Sequence, residues 1–347
     1  MRILSAGDEF VGNDLLKAAI RAELAGTGVE ADFRELSLPW PIEPFGPVAE
    51  VNEASGTEEQ VIEALDGAEI AVTQMAPFTK RVFAAAPQLK LVSVCRGGPV
   101  NVDLAAATEA GVAVTFTPGR NAAAAAEFAV GLLLAAMRRI STSSAELLSG
   151  TWRGDYYTYA KAGTELEGTT VGLVGYGAIG ARVAKVLVAF GAHVLVADPY
   201  ADPDAVAADG AELVELDELL RRSYAVSLHA RLTEETRNLI DAEKLELLPH
   251  GAVLVNSARG GLLDYSPLPD MLRSGRLGAV ALDVYDVEPP PADWALRDAP
   301  NVIATPHLGG ASKQTADRAA KIVAADVGRF VRGEPLAHLA NPDVLTR

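Results

Sequence analysis

One hexapeptide constrains the fold of this 347-residue chain more than any other feature: Gly175-Tyr176-Gly177-Ala178-Ile179-Gly180, set between an apolar run ending at Val174 and a helix-like stretch. A parallel β/α unit needs a tight turn at such a junction, and each glycine answers a separate demand. Gly175 allows the sharp turn, Gly177 lets the backbone approach a pyrophosphate, and Gly180 lets the helix pack closely on the strand. Free N–H groups at the helix start, those of Ala178 and Ile179 among them, suit a dianionic pyrophosphate. The next apolar run ends at Asp198, 18 residues beyond Gly180, close to the ~20 typical of an acid that binds ribose hydroxyls. The pattern is that of a dinucleotide site, and Asp198 would repel a 2′-phosphate, so NAD is expected over NADP.

The turn sits inside the second of two β/α series. In the first, strands are expected over residues 2–6, 31–36, 69–73, 89–95 and 113–117, with helical patterns between them. The second series has strands over 171–174, 194–197, 225–228, 253–256, 280–284 and 302–304. Residues 121–140 read as one long helix rich in Ala and Leu, and 39–47, with four prolines, as a surface loop. The last helix, near 312–331, has no strand after it and is expected to return to the first half. These runs predict an α/β protein in two domains, one formed by 1–117 with 310–347 and the other by 118–309.

Composition removes several functional classes. Hydrophobic residues at 49% and charged residues at 22% are globular values. A formal charge of −16 leaves no broad phosphate-binding surface, so nucleic acid is not expected as a partner. The longest apolar stretch has ten residues, short of the ~20 that span a bilayer, so no membrane association is expected either. A single cysteine, Cys95, cannot form an intrachain disulfide, and it reads as a buried, inert thiol. With no secretion-signal pattern at the start, a cytoplasmic location is expected. His193, His229, His250 and His338 have no metal-ligand spacing; His229 reads as a satisfied structural residue, and no metal is expected.

Polar residues recur where later strands end, which is where open α/β sheets bind ligands. Asn256-Ser257-Ala258-Arg259-Gly260-Gly261 follows one strand, Asp283-Val284-Tyr285-Asp286-Val287-Glu288-Pro289 another, and Thr305-Pro306-His307-Leu308-Gly309-Gly310 a third. Singly, Arg259 could be a surface charge, Glu288 a turn acid and His307 a helix-end hydrogen bonder. Together, downstream of a dinucleotide turn, they suit hydride transfer to a 2-keto acid. An arginine fork binds a carboxylate, a histidine moves a proton near neutral pH, and a carboxylate beside it tunes that proton.

These segments, with Thr117-Pro118-Gly119-Arg120-Asn121 and Val226-Ser227-Leu228-His229, closely resemble the D-isomer-specific 2-hydroxyacid dehydrogenase family. That family includes phosphoglycerate dehydrogenase and the glyoxylate/hydroxypyruvate reductases. The resemblance implies a Rossmann NAD-binding domain inserted into a flavodoxin-like substrate domain, and a homodimer built on the NAD-binding domains. It implies that Arg259 holds the carboxylate and carbonyl of a small 2-hydroxy or 2-keto acid, that His307 is the acid/base, and that Glu288 raises its pKa. Ala258 and Asp283 fall on the cofactor side, Asp283 matching an aspartate that binds the nicotinamide carboxamide. Arg96, Gly97, Gly98 and Pro99 match a loop whose backbone N–H groups meet the substrate carboxylate. Two departures from the family pattern stand out: the short spacing from Arg96 to Asp103, with Pro99 inserted, and Arg231 where proline is frequent. The family also contains a corepressor that retains much of the site, so an NAD-sensing interaction protein is the alternative. The lack of a long extra tail favours the enzyme.

Overall fold

Strands buried on both faces of a sheet need continuous apolar runs rather than alternation, and this chain supplies them twice. In the computed structural model, which describes residues 1–346, it divides into two units. Unit 1 is Met1–Asn121 with the chain from Ser312 on, and unit 2 is Ala122–Ala311.

Unit 1 holds β1 (Arg2–Gly7), β2 (Asp32–Ser37), β3 (Ile70–Thr73), β4 (Leu91–Val94) and β5 (Ala113–Thr115). The order is β2-β1-β3-β4-β5, with every pairing parallel. All four residues of β3 and of β4 are buried, whereas β2, at the edge, is largely exposed. The helix Lys313–Arg332 packs on the helix Asn13–Leu24. Its Ala316, Ala320, Val323 and Val327 recur at helical spacing and are buried. Ser312 caps its start by accepting from the Thr315 N–H, and Gly333, at φ +69°, ends it.

The tail then covers the free edge of β5. Among the described residues no strand follows the last helix, as expected, but Leu339 forms an isolated antiparallel bridge with Thr115. Asn341 Oδ1 accepts from the Val114 N–H at 2.8 Å, and its Nδ2 donates to Val112 O at 2.9 Å and to Thr108 Oγ1 at 3.0 Å. An otherwise open strand edge is thereby satisfied.

Unit 2 holds β6 (Thr170–Val174), β7 (His193–Ala197), β8 (Glu212–Leu213), β9 (Ala225–Leu228), β10 (Ala252–Asn256), β11 (Leu277–Leu282) and β12 (Val302–Ala304). They form one parallel sheet, ordered β12-β11-β10-β9-β6-β7-β8. The order reverses between β6 and β9, as in a doubly wound nucleotide-binding sheet. Apolar cores cover both faces. The long helix is shorter than expected: it spans Ala122–Met137 and a second helix spans Ile140–Leu148. Between them Arg139 adopts φ +53°, and its guanidinium donates to Lys161 O at 3.2 Å and Asn301 Oδ1 at 2.9 Å. Among the described residues no helix is long and apolar enough to cross a membrane.

Replacing Asn341 with Ala would leave the Val114 N–H and the Val112 carbonyl of unit 1 without their partner. Urea denaturation should show a loss of about 3 kcal/mol, and an unchanged midpoint would refute the tail's structural role.

Candidate functional site

The glycine turn leaves β6 at the point where the strand order reverses. Gly175 has φ +101°, and a Cβ there would lie 2.6 Å from Ala230 N. A Cβ on Gly180 would lie 2.2 Å from the Gly175 carbonyl, so neither position admits a side chain. Gly177 is different: a Cβ there would meet nothing within 4 Å. The N–H groups of Gly177, Ala178 and Ile179 find no hydrogen-bond partner among the described residues, and the helix Gly180–Ala189 begins directly behind them. Open space before free donors at a helix start fits a pyrophosphate. Asp198, after β7, accepts from the Tyr176 N–H at 2.7 Å and the Tyr200 N–H at 2.9 Å. It therefore braces the turn.

The adjacent strands β10, β11 and β12 bring the polar segments that follow them to one edge of unit 2. Arg259 is exposed, and its guanidinium donates to the carbonyl of Ala258 at 2.7 Å. The Ala258 N–H donates to Asn256 Oδ1 at 3.1 Å, which shapes this bend. Glu288 Oε2 lies 2.8 Å from His307 Nδ1, and Glu288 Oε1 accepts from the Tyr285 N–H at 3.1 Å. The hydrogen bond to Glu288 raises the His307 pKa against the opposing effect of burial, with the Glu288 and Asp283 charges adding to the rise. Burial alone would raise the Glu288 pKa, yet the hydrogen bond and charge of His307 hold it below the usual value. Arg259 acts on both groups, favouring ionised Glu288 and neutral His307.

His307 stands at φ +53°, a left-handed conformation that costs a non-glycine residue energy. Asp283 holds it there. This carboxylate, 1% exposed, accepts from Thr305 Oγ1 at 2.7 Å, the Leu308 N–H at 2.8 Å and the Gly309 N–H at 2.7 Å. Its oxygens are thus engaged with the turn that carries His307. The Tyr285 hydroxyl adds a bond to Thr305 O at 2.8 Å. Sequence reasoning missed these supports, although the Leu282-Asp283-Val284-Tyr285 motif was visible.

In unit 1, Arg96 follows β4, and its guanidinium is bound by the Glu53 carboxylate and, at 3.0 Å, by the Glu53 carbonyl. The N–H groups of Gly97 and Gly98 find no partner among the described residues, and a Cβ at either glycine would meet open space. Pro99 O accepts from the Val102 N–H at 3.1 Å, closing the loop. Burial pushes the Cys95 thiol up to about 12, as for an inert residue. Burial pushes His229 down to about 4, and its Nε2 has no partner among the described residues, so it is not the fully satisfied residue expected. Arg231 is exposed. No group of three or more His, Cys, Asp or Glu that could hold a metal ion occurs among the described residues.

Residues 130–309 match the family model described as "D-isomer specific 2-hydroxyacid dehydrogenase, NAD binding domain". The chain is 44% identical over 262 residues to D-3-phosphoglycerate dehydrogenase of Mycobacterium leprae, covering 76% of this chain and 49% of that protein. It thus spans about half the length of that relative. It is 36% identical over 295 residues to glyoxylate reductase of Korarchaeum cryptofilum, covering 85% and 89% of the two chains. The crystal structure of a glyoxylate reductase from Paecilomyes thermophila superposes with a TM-score of 0.74 at 26% identity, covering 98% of each chain.

An NMR titration of the free protein should place the His307 pKa above the ~6.5 of an unperturbed histidine. Glu288→Gln should lower it, because the neutral amide no longer favours imidazolium. Equal values in the two proteins would break the link between them.

Proposed function

The chain belongs to the D-isomer specific 2-hydroxyacid dehydrogenase family, and from that premise we propose that it is an NAD(H)-dependent oxidoreductase interconverting a D-2-hydroxy acid and its 2-keto acid. The observation that carries this reading is the 2.8 Å His307–Glu288 pair within reach of the Arg259 charge, in the unit that also bears the open glycine turn. Unit 2 is the nucleotide-binding lobe and unit 1 the substrate lobe.

The nicotinamide, when bound, donates or accepts the hydride. The Gly177, Ala178 and Ile179 N–H groups would hold the pyrophosphate, and Asp198 the adenosine ribose. In reduction, His307 as imidazolium gives its Nε2 proton to the carbonyl oxygen, while Glu288 on Nδ1 stabilises the charged ring. Arg259 binds the substrate carboxylate and carbonyl and offsets negative charge developing on that oxygen. Gly97 and Gly98 offer their N–H groups to the carboxylate, with Arg96 and Pro99 shaping the loop. In oxidation, neutral His307 takes the hydroxyl proton.

A homodimer through unit 2 completes the reading. Trp152, Tyr157 and Tyr159 stand 82%, 96% and 101% exposed on one segment of this unit. Such a cluster of large rings suits a protein interface. Changing all three to Ser should convert a dimer to a monomer by light scattering; an unchanged mass would refute this interface.

The pH dependence follows from the proton. Reduction requires imidazolium, so its kcat/KM falls as pH rises through the His307 pKa, which Glu288 raises. Glu288→Gln should therefore move this alkaline limb to lower pH, and His307→Ala should cost at least ~100-fold at every pH. NADH should outperform NADPH, and Asp198→Ala should narrow the difference. Steady-state oxidation of NADH and of NADPH over a panel of 2-keto acids tests all four. If no member turns over and His307→Ala still binds NADH normally, the NAD-sensing alternative replaces the enzyme.

A further inference from the structure

The sheet of unit 1 has its own reversal of strand order, between β1 and β3, and open α/β sheets hold ligands beyond the carboxyl ends of strands at such a point. Asp8 follows β1, Gln74 follows β3, Cys95 and Arg96 follow β4, and Thr117 and Arg120 lie beyond β5. Arg120 stands out among them. Its Nη1 is buried without a hydrogen-bond partner among the described residues. The guanidinium carbon lies 5.8 Å from the centroid of the Phe10 ring, and Arg318 fixes the backbone by donating to Arg120 O at 2.8 Å. A guanidinium stays charged, and burying one of its donors unpaired is costly unless a partner arrives.

The surroundings do not supply that partner. Arg96 is close enough for its charge to oppose that of Arg120, and its own head is bound by Glu53. Glu53 stands at φ +48°, a conformation unfavourable for a non-glycine residue. Asp8 Oδ1 accepts from the Phe10 and Val11 N–H groups. Its Oδ2 is buried without a partner, and burial raises its pKa, which weakens it as a counter-charge. The Thr117 hydroxyl is likewise buried and unpartnered among the described residues. Arg120, Thr117 and the Gly97 and Gly98 N–H groups leave several donors without a partner at this edge, beside two unpaired acceptors, Asp8 Oδ2 and Gln74 Oε1.

We propose that this edge of unit 1 holds two oxyanions on one molecule, one at the Gly97 and Gly98 N–H groups and a second, a carboxylate or phosphate, at Arg120, with Arg96 exchanging Glu53 for it. The identity of the occupant rests on the dehydrogenase reading: it is a 2-keto or 2-hydroxy acid carrying a second anionic group. Arg120 thereby sets specificity without touching the reacting carbon.

Two measurements test this. In the first, kcat/KM is compared for oxaloacetate against pyruvate and for 3-phosphohydroxypyruvate against hydroxypyruvate, so that one pair reports a carboxylate and the other a phosphate. The wild type should favour the dianion of at least one pair by about tenfold or more. Arg120→Gln should lower that ratio about tenfold, and Arg120→Lys should lower it less, since an ammonium keeps the charge but loses the fork. Equal use of both members, or equal loss on both in the Gln variant, overturns the proposal. If the Gln variant does not fold, the Lys variant carries the test. In the second, malonate and inorganic phosphate are titrated calorimetrically into wild type and Arg120→Lys. Weaker binding of either anion to the variant supports the site even if no keto acid is reduced, in which case only the dehydrogenase reading falls. Absence of binding to wild type, or equal binding to both proteins, overturns the site.

Discussion

The buried carboxylate of Asp283 is the constraint on which the candidate chemistry depends. Without support, His307 would relax from its left-handed backbone, and its one side-chain hydrogen bond, to Glu288, does not engage the backbone of the turn. Two consecutive N–H groups beyond it, from Leu308 and Gly309, converge on one carboxylate with Thr305 Oγ1. These charge-assisted bonds in a dry setting exceed the cost of one unfavourable φ. Gly309 is part of the same device, because a Cβ there would lie 2.9 Å from Asp283 Oδ2. With the turn fixed, the ring needs only Glu288 on Nδ1 to set its orientation and charge, so backbone geometry and proton affinity come from two different acids.

Much of this was legible in the sequence because it is local. The buried runs of β3, β4, β9 and β10 announce themselves, and the glycine turn specifies its own geometry over six residues. Strand β8 was missed because it is two residues long at a sheet edge, with Glu212 exposed, and carries no apolar run. The break after Met137 was missed for a different reason. Arg139 is turned by partners at Lys161 and Asn301, and helix propensity knows nothing of residues 22 and 162 positions away.

The candidate site divides in the same way. Arg259, Glu288 and His307 could be named from motifs at strand ends, since strand order decides which ends are neighbours. The engagement of Asp283 with the His307 turn could not, because a motif reports which residue is present and not which hydrogen bonds it keeps. Arg96 was visible, but its partner Glu53 lies 43 residues earlier, in a region without periodicity. Arg120 sat unremarked inside a recognised segment, and only the lack of a partner at its buried nitrogen sets it apart.

The tail that seals β5 has a consequence for how the molecule is made. Unit 2 is one uninterrupted stretch and can fold as soon as it leaves the ribosome. Unit 1 is begun before unit 2 and completed after it, since the partners of Val112 and Val114 reside at Asn341. Throughout synthesis of the intervening 190 residues, β5 presents an unpaired edge to the crowded cell, the kind of surface on which chains add to one another. A chain stopped anywhere before Asn341 therefore carries an unsealed strand edge.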